Sequence, residues 1–191
     1  MPTRTGVLML AASVAAFGSH AAISQGIDRD TTIVATAHIK SVSGGDESVP
    51  VRIAVDHFST EQDRESLLAA LRKGGTTAAR DLLAGRDRIG SVHVGSIDTP
   101  IKYVSERTTA DGLLIIAVTG SPITFLDAHL PGAPSTAGYE VGFALLEVMT
   151  NGPGHGELVL AAKLEVDAQG AIVTDEYGPE VVRLVDVRRK K

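Results

Sequence analysis

Four side chains carry most of the reactive chemistry this sequence could offer: His57, His93, Asp127 and His129. Imidazole is the side chain whose ordinary pKa lies near neutrality, so a histidine can take or give a proton under physiological conditions. Asp127 and His129 stand two residues apart, a spacing that suggests an acid–base pair or two ligands of one cation. A metal site needs three or four ligands, and a general base needs a partner at hydrogen-bond distance, so a spacing of two supplies neither by itself. His57 continues the apolar face of Val51, Ile53 and Val55, beside Asp56, and His93 lies between Val92 and Val94. Both positions suit a histidine at the edge of a core as well as one in a site. His38 falls on a polar strand face and His155 in a turn, where both are expected to be solvated.

No established motif gathers these residues. The run Asn151 to Gly156 (NGPGHG) has glycines but not the lysine of a phosphate-binding loop, and no helix follows it, so turn chemistry explains it. Neither a nucleophile elbow nor a zinc-binding H-E-x-x-H pair occurs. No cofactor-binding and no metal-binding residue is therefore assigned, and catalysis is confined to the four candidates.

The elements that must position them begin after an N-terminal leader. Arg4 precedes an unbroken small and apolar run, Gly6 to Phe17, and then Gly18-Ser19-His20-Ala21-Ala22. A basic start, a short apolar stretch and small residues are the three parts of a secretory signal, with cleavage expected after Ala21. The apolar run is too short for a bilayer core, which takes about 20 residues. Residues 22–191 then form one domain, periplasmic or secreted, with no transmembrane segment. The chain has no cysteine, so no disulfide supports it. A net charge of −5 argues against nucleic acid as a partner, because that binding needs a basic surface. The basic cluster Arg188, Arg189, Lys190 and Lys191 is expected to be a solvated terminus.

Within that domain the hydrophobic period is mostly two. Ile33, Ala35, Ala37 and Ile39 line one strand, and Val49, Val51, Ile53 and Val55 line a second, joined through Gly44-Gly45-Asp46. Ser59 and Gln62 fit a capping box that opens a helix carrying Leu67, Leu68 and Leu71, with Gly74-Gly75 ending it. A second helix over residues 77–84 makes an inserted helical hairpin near residues 59–85. Strands follow at 101–107 and 113–119 around Asp111-Gly112, a turn expected to need positive φ at the glycine. Leu113 to Val118 has no polar face and reads as a strand buried on both sides. A long connection with Pro122, Pro131 and Pro134 precedes a meander of strands at 139–150, 157–166, 171–177 and 181–187. Strands with a segregated helical pair predict an α+β fold, mainly antiparallel sheet, as a curled sheet, a barrel or two layers.

Three stretches, VRIAVDHFSTEQDRESLLAAL (51–71), DGLLIIAVTGSPITFLD (111–127) and the segment 139–188 ending EYGPEVVRLVDVR, resemble a family of uncharacterised secreted bacterial proteins of similar length. The resemblance implies export and a shared fold, and it transfers no activity and no functional residue. Three functions compete. The first is non-enzymatic binding of a small apolar or amphipathic ligand by the curled sheet. The second is a structural or protein-interaction domain, its partner another protein or a second copy. The third is a hydrolase or isomerase using a histidine of the long connection, His129 beside Asp127, or else His57 or His93.

Overall fold

The computed structural model describes residues 30–40, 46–124, 138–174 and 181–190. The leader, the turn at 41–45, Asp127 and His129 lie outside the described residues. Among the described residues ten strands and one helix follow in the order β1 (Thr31–Lys40), β2 (Asp46–Val55), α1 (Glu61–Ala84), β3 (Gly90–Val94), β4 (Ile97–Thr108), β5 (Gly112–Thr119), β6 (Val141–Met149), β7 (Gly154–Ala162), β8 (Leu164–Val166), β9 (Ile172–Thr174) and β10 (Val181–Lys190).

Eight of the strands close into an antiparallel barrel, in the order β1-β10-β7-β6-β5-β4-β3-β2, with β2 returning to β1. Of the three arrangements open to the sequence, the closed one is adopted. Closure removes the exposed edges that a long open sheet would carry. Strands β8 and β9 form a separate two-stranded ribbon.

The first two strands pair as the alternation predicts, Thr31 opposite Val55 through Lys40 opposite Asp46. Their apolar faces join one cluster with Val92, Ile101, Val104, Ile115, Ala117, Ala144, Leu146, Leu158, Leu160, Val182 and Leu184. Every barrel strand contributes to this cluster, which makes it the barrel interior. An eight-stranded barrel has an interior just wide enough for side chains to fill.

A second cluster lies outside. Leu67, Leu68, Leu71, Ala79 and Leu83 of α1 pack on Tyr103, Val118, Val141, Phe143, Val159 and Ala162, which form the outer face of four consecutive strands, β4 to β7. Leu164 and Ile172 of the ribbon complete it. The sequence run 157–166, expected as one strand, is therefore divided. Its first part serves the barrel and Leu164 turns away into the ribbon.

The expected helical pair is one element, α1, kinked where its backbone leaves helical geometry at Gly74 and Gly75, the latter at φ 63°. Its cap is not the expected one. Thr60, not Ser59, accepts from the Asp63 amide at 3.2 Å, while the Thr60 amide donates to the Asp63 carboxylate at 2.8 Å. Ser59 instead serves the sheet: its amide donates to the Val104 carbonyl at 2.8 Å and its hydroxyl accepts from the Val104 amide at 3.0 Å. Strand β3 pairs with β4 only as far as Ile101, so Ser59 takes over this edge where β3 has ended.

Three further expectations are corrected. Gly112 does not adopt positive φ. A side chain there is excluded because its Cβ would overlap the Val148 carbonyl oxygen on β6. Strand β7 already begins at Gly154, inside the expected turn, where the lack of a side chain permits a backbone approach to the Glu147 carbonyl oxygen that a Cβ would block. Strand β10 runs past the expected end at Val187 to Lys190, with Arg188, Arg189 and Lys190 opposite Val34, Ile33 and Thr32 of β1 while their side chains stay exposed, as expected.

Candidate functional site

The outer layer does not cover the whole of the sheet beneath it. Val118 is buried by α1, but Leu114 and Ile116, on the same face of β5, are only half-buried. The expectation that Leu113 to Val118 is buried on both sides holds at Ile115, Ala117 and Val118 and fails at this end. There the outer face becomes the floor of a groove of about 800 Å³. That size falls within the range of small-molecule sites, roughly 300–1,000 Å³.

One part of the wall is the start of α1, with Thr60, Glu61 and Arg64, and another is the β8–β9 turn, with Gln169, Ala171 and Ile172. Arg64 holds the two together. Its guanidinium donates to Glu61 at 2.8 Å and to the Gly170 carbonyl at 3.0 Å. The turn is itself fixed by the Asp167 carboxylate, which accepts from the amides of Gln169 and Ala171. Further along α1, the Thr76 hydroxyl accepts from the Leu164 amide at 2.8 Å and donates to the Leu164 carbonyl, so the ribbon is anchored to both halves of the helix.

The groove also bends around the edge of β4 that β3 leaves open. Tyr103 and Ser105 line it from the outer face. Glu106 lines it from the inner face, at the mouth of the barrel, since its rung partner on β5 is the interior residue Ile115. Burial pushes the Tyr103 hydroxyl above its ordinary value, with a hydrogen bond to Ser105 opposing. Burial likewise pushes the Glu106 carboxyl up, opposed by the Arg189 charge. One carboxylate oxygen of Glu106, Oε2, is buried and has no hydrogen-bond partner among the described residues.

His57 lies at the rim of this groove and is exposed; Phe58 beside it is the residue that packs onto the barrel interior. His57 also borders a smaller hollow of about 170 Å³ with Asp63, Arg86 and Lys102. His93 is elsewhere. It sits opposite Arg52 on the outer face of β3, half-buried, with its Nε2 at 2.8 Å from the Ser91 hydroxyl and 3.5 Å from Asp98. The rung joining Val55 to Gly90 separates it from His57, so the two histidines do not meet. Among the described residues no group of three His, Asp or Glu side chains could hold a metal ion. His155, exposed, pairs with Glu147 at 3.2 Å, and the His38 ring lies 3.5 Å from the Ser48 hydroxyl.

Tyr103, Glu106, Leu114 and Ile116 are the site residues that the search for reactive types passed over. A signal for two of them stood in the sequence: the apolar run 113–118 has no polar face, yet it lies in a hairpin that ends in exposed residues. Glu106 gave none, because a carboxylate in a strand ordinarily faces water.

Fold and site together define an eight-stranded antiparallel barrel with an external helix and ribbon and a groove where that outer layer stops. Comparison with family models, with curated proteins and with solved structures found no match to this chain. Among the described residues no helix is long and apolar enough to cross a membrane.

Proposed function

We propose that this chain is a non-enzymatic binding protein that holds a small amphipathic ligand in the groove outside the barrel. The observation that carries the reading is the uncovered floor at Leu114 and Ile116, enclosed on two sides by walls that Arg64 ties together. Ligand sites combine an apolar lining with a few placed polar groups, and this groove has both. The ligand site sits outside the barrel, not inside the curled sheet, where side chains from all eight strands already meet. The leader pattern at residues 1–21 supports action outside the cytoplasm.

The test is a titration with N-phenyl-1-naphthylamine, a neutral apolar dye that fluoresces when it leaves water. Saturable binding by the wild type is expected, weakened at least about tenfold in Ile116→Asp, since a buried charge opposes an apolar guest. A wild type that gives no saturable signal overturns the reading.

A second reading, a protein-interaction domain, has its own observation. Beyond Val104 no described strand pairs the open edge of β4, and such an edge accepts an added strand. A native mass that is a multiple of the chain mass, together with no dye binding, would favour it. For the hydrolase or isomerase reading, the described residues offer His57 and His93 on separate parts of the surface, and its Asp127 and His129 lie outside the described residues.

A further inference from the structure

We infer that the groove selects an amphiphile with a cationic, hydrogen-bond-donating head, an ammonium or amidinium group, seated on Glu106 with its apolar body along Leu114 and Ile116. This rests on the ligand-binding reading above and adds the chemistry of the ligand.

The argument is one of unmet need. Glu106 is half-buried, its Oε2 is shielded from water with no donor among the described residues, and a shielded carboxylate oxygen without a partner is costly enough that proteins ordinarily supply one. The neighbouring charges do not meet the need. Arg64 is already engaged by Glu61 and by the Gly170 carbonyl. Arg107, on the same strand, is exposed, and water screens its charge. Arg189 of β10 acts on Glu106 only through its field and is exposed as well. His57, from the connection between β2 and α1, is exposed at the rim. A guest whose head carries both a positive charge and N–H donors supplies what these groups do not. Charge-assisted bonds of that kind are about twice as strong as neutral ones. Because the groove turns around the open edge of β4, such a guest reaches Glu106 at the barrel mouth while its tail stays on the outer face.

Displacement of the bound dye by three guests of one chain length, decylammonium, decanol and decanoate, tests this. Near neutral pH decylammonium is expected to displace the dye at concentrations about tenfold or more below decanoate, with decanol between them. In Glu106→Gln, checked for folding by its thermal melt, the ratio of decylammonium to decanol should fall to near one. The wild type provides a check that needs no variant. As pH falls through the raised Glu106 value the carboxylate takes a proton, so decylammonium should weaken while decanol does not change. Dye binding that is lost in Ile116→Asp, combined with decanoate matching decylammonium or with an ammonium preference that survives acidification, overturns the inference and leaves the binding reading standing. No dye binding by the wild type overturns both.

Discussion

The barrel interior and the layer outside it are both apolar, but they are built from different residues for different reasons. Inside, buried side chains come from every barrel strand and are aliphatic: Ala35 and Ala37 share one cluster with Ile53, Ile101 and Ile115. A narrow closed sheet has room for side chains of that size, and β-branched residues suit its pleat. Outside, the layer is richer in leucine and includes Tyr103 and Phe143, because a helix packing on a sheet must bridge a wider gap. Closure covers the interior on all sides. The outer layer is covered only where α1 and the ribbon reach, and its uncovered end is the groove. The stable element and the candidate site are thus two faces of the same strands, β4 and β5.

Adjacent residues of β5 give the strongest test of that contrast. Ile115 points into the barrel and is fully buried, while Ile116 points into the groove and is half-buried. Ile115→Asp is expected to cost about 4 kcal/mol or more, since it places a carboxylate among aliphatic side chains with no partner. Loss of a cooperative thermal transition is the readout. Ile116→Asp should cost about 1 kcal/mol, the scale of a strand substitution on a partly exposed face. Equal losses in the two variants would mean that the groove floor is part of the closed core.

A smaller effect is expected at Gly112, where inner and outer faces depend on one backbone approach. Valine there would drive its Cβ into the Val148 carbonyl and force the β5–β6 rung apart, at roughly 2–3 kcal/mol by the scale of overpacking. Denaturant unfolding measures it, and a variant as stable as the wild type would break the pairing of Gly112 with Met149.

Period-two alternation made the interior legible in the sequence: Ile33 to Ile39 and Val51 to Val55 appear as stripes, and the stripes are the barrel wall. The outer layer was harder to read because strands carrying it, such as Leu158 to Ala162, have two apolar faces and lose their alternation. No single strand encodes closure; it follows from β10 returning to β1, across most of the chain. The site was less legible still. The reactive types are His57, His93, Asp127 and His129; of the two among the described residues, His57 touches the groove and His93 does not. The groove is made by where coverage ends, a property of packing between distant segments. Even the helix start lies one residue from the expected cap, because Ser59 and Thr60 are both good caps and the sheet claims Ser59 through Val104.

The smallest effect separates the two regions most cleanly, because it acts on the outer layer alone. Thr60 and Asp63 cap α1 reciprocally, with the Thr60 hydroxyl also donating to the carboxylate at 2.7 Å. Thr60→Ala should cost about 1 kcal/mol. The two hydrogen bonds from Thr60 hold the Asp63 carboxyl below its ordinary value, helped by Arg86 at 3.3 Å. The sign follows from that direction. A group whose pKa is lower in the folded state stabilises the fold when ionised, so its contribution is present above the ordinary carboxylate range and is lost as pH falls through the folded value. The stability difference between wild type and Thr60→Ala is therefore expected to shrink on acidification. Hydrogen exchange should show faster exchange in the first turns of α1 with the barrel amides unchanged, because β1, β2 and the interior cluster make no use of this cap. Faster exchange spread evenly over barrel and helix would mean that the outer layer is not a separable unit, and that the groove wall cannot loosen without the barrel.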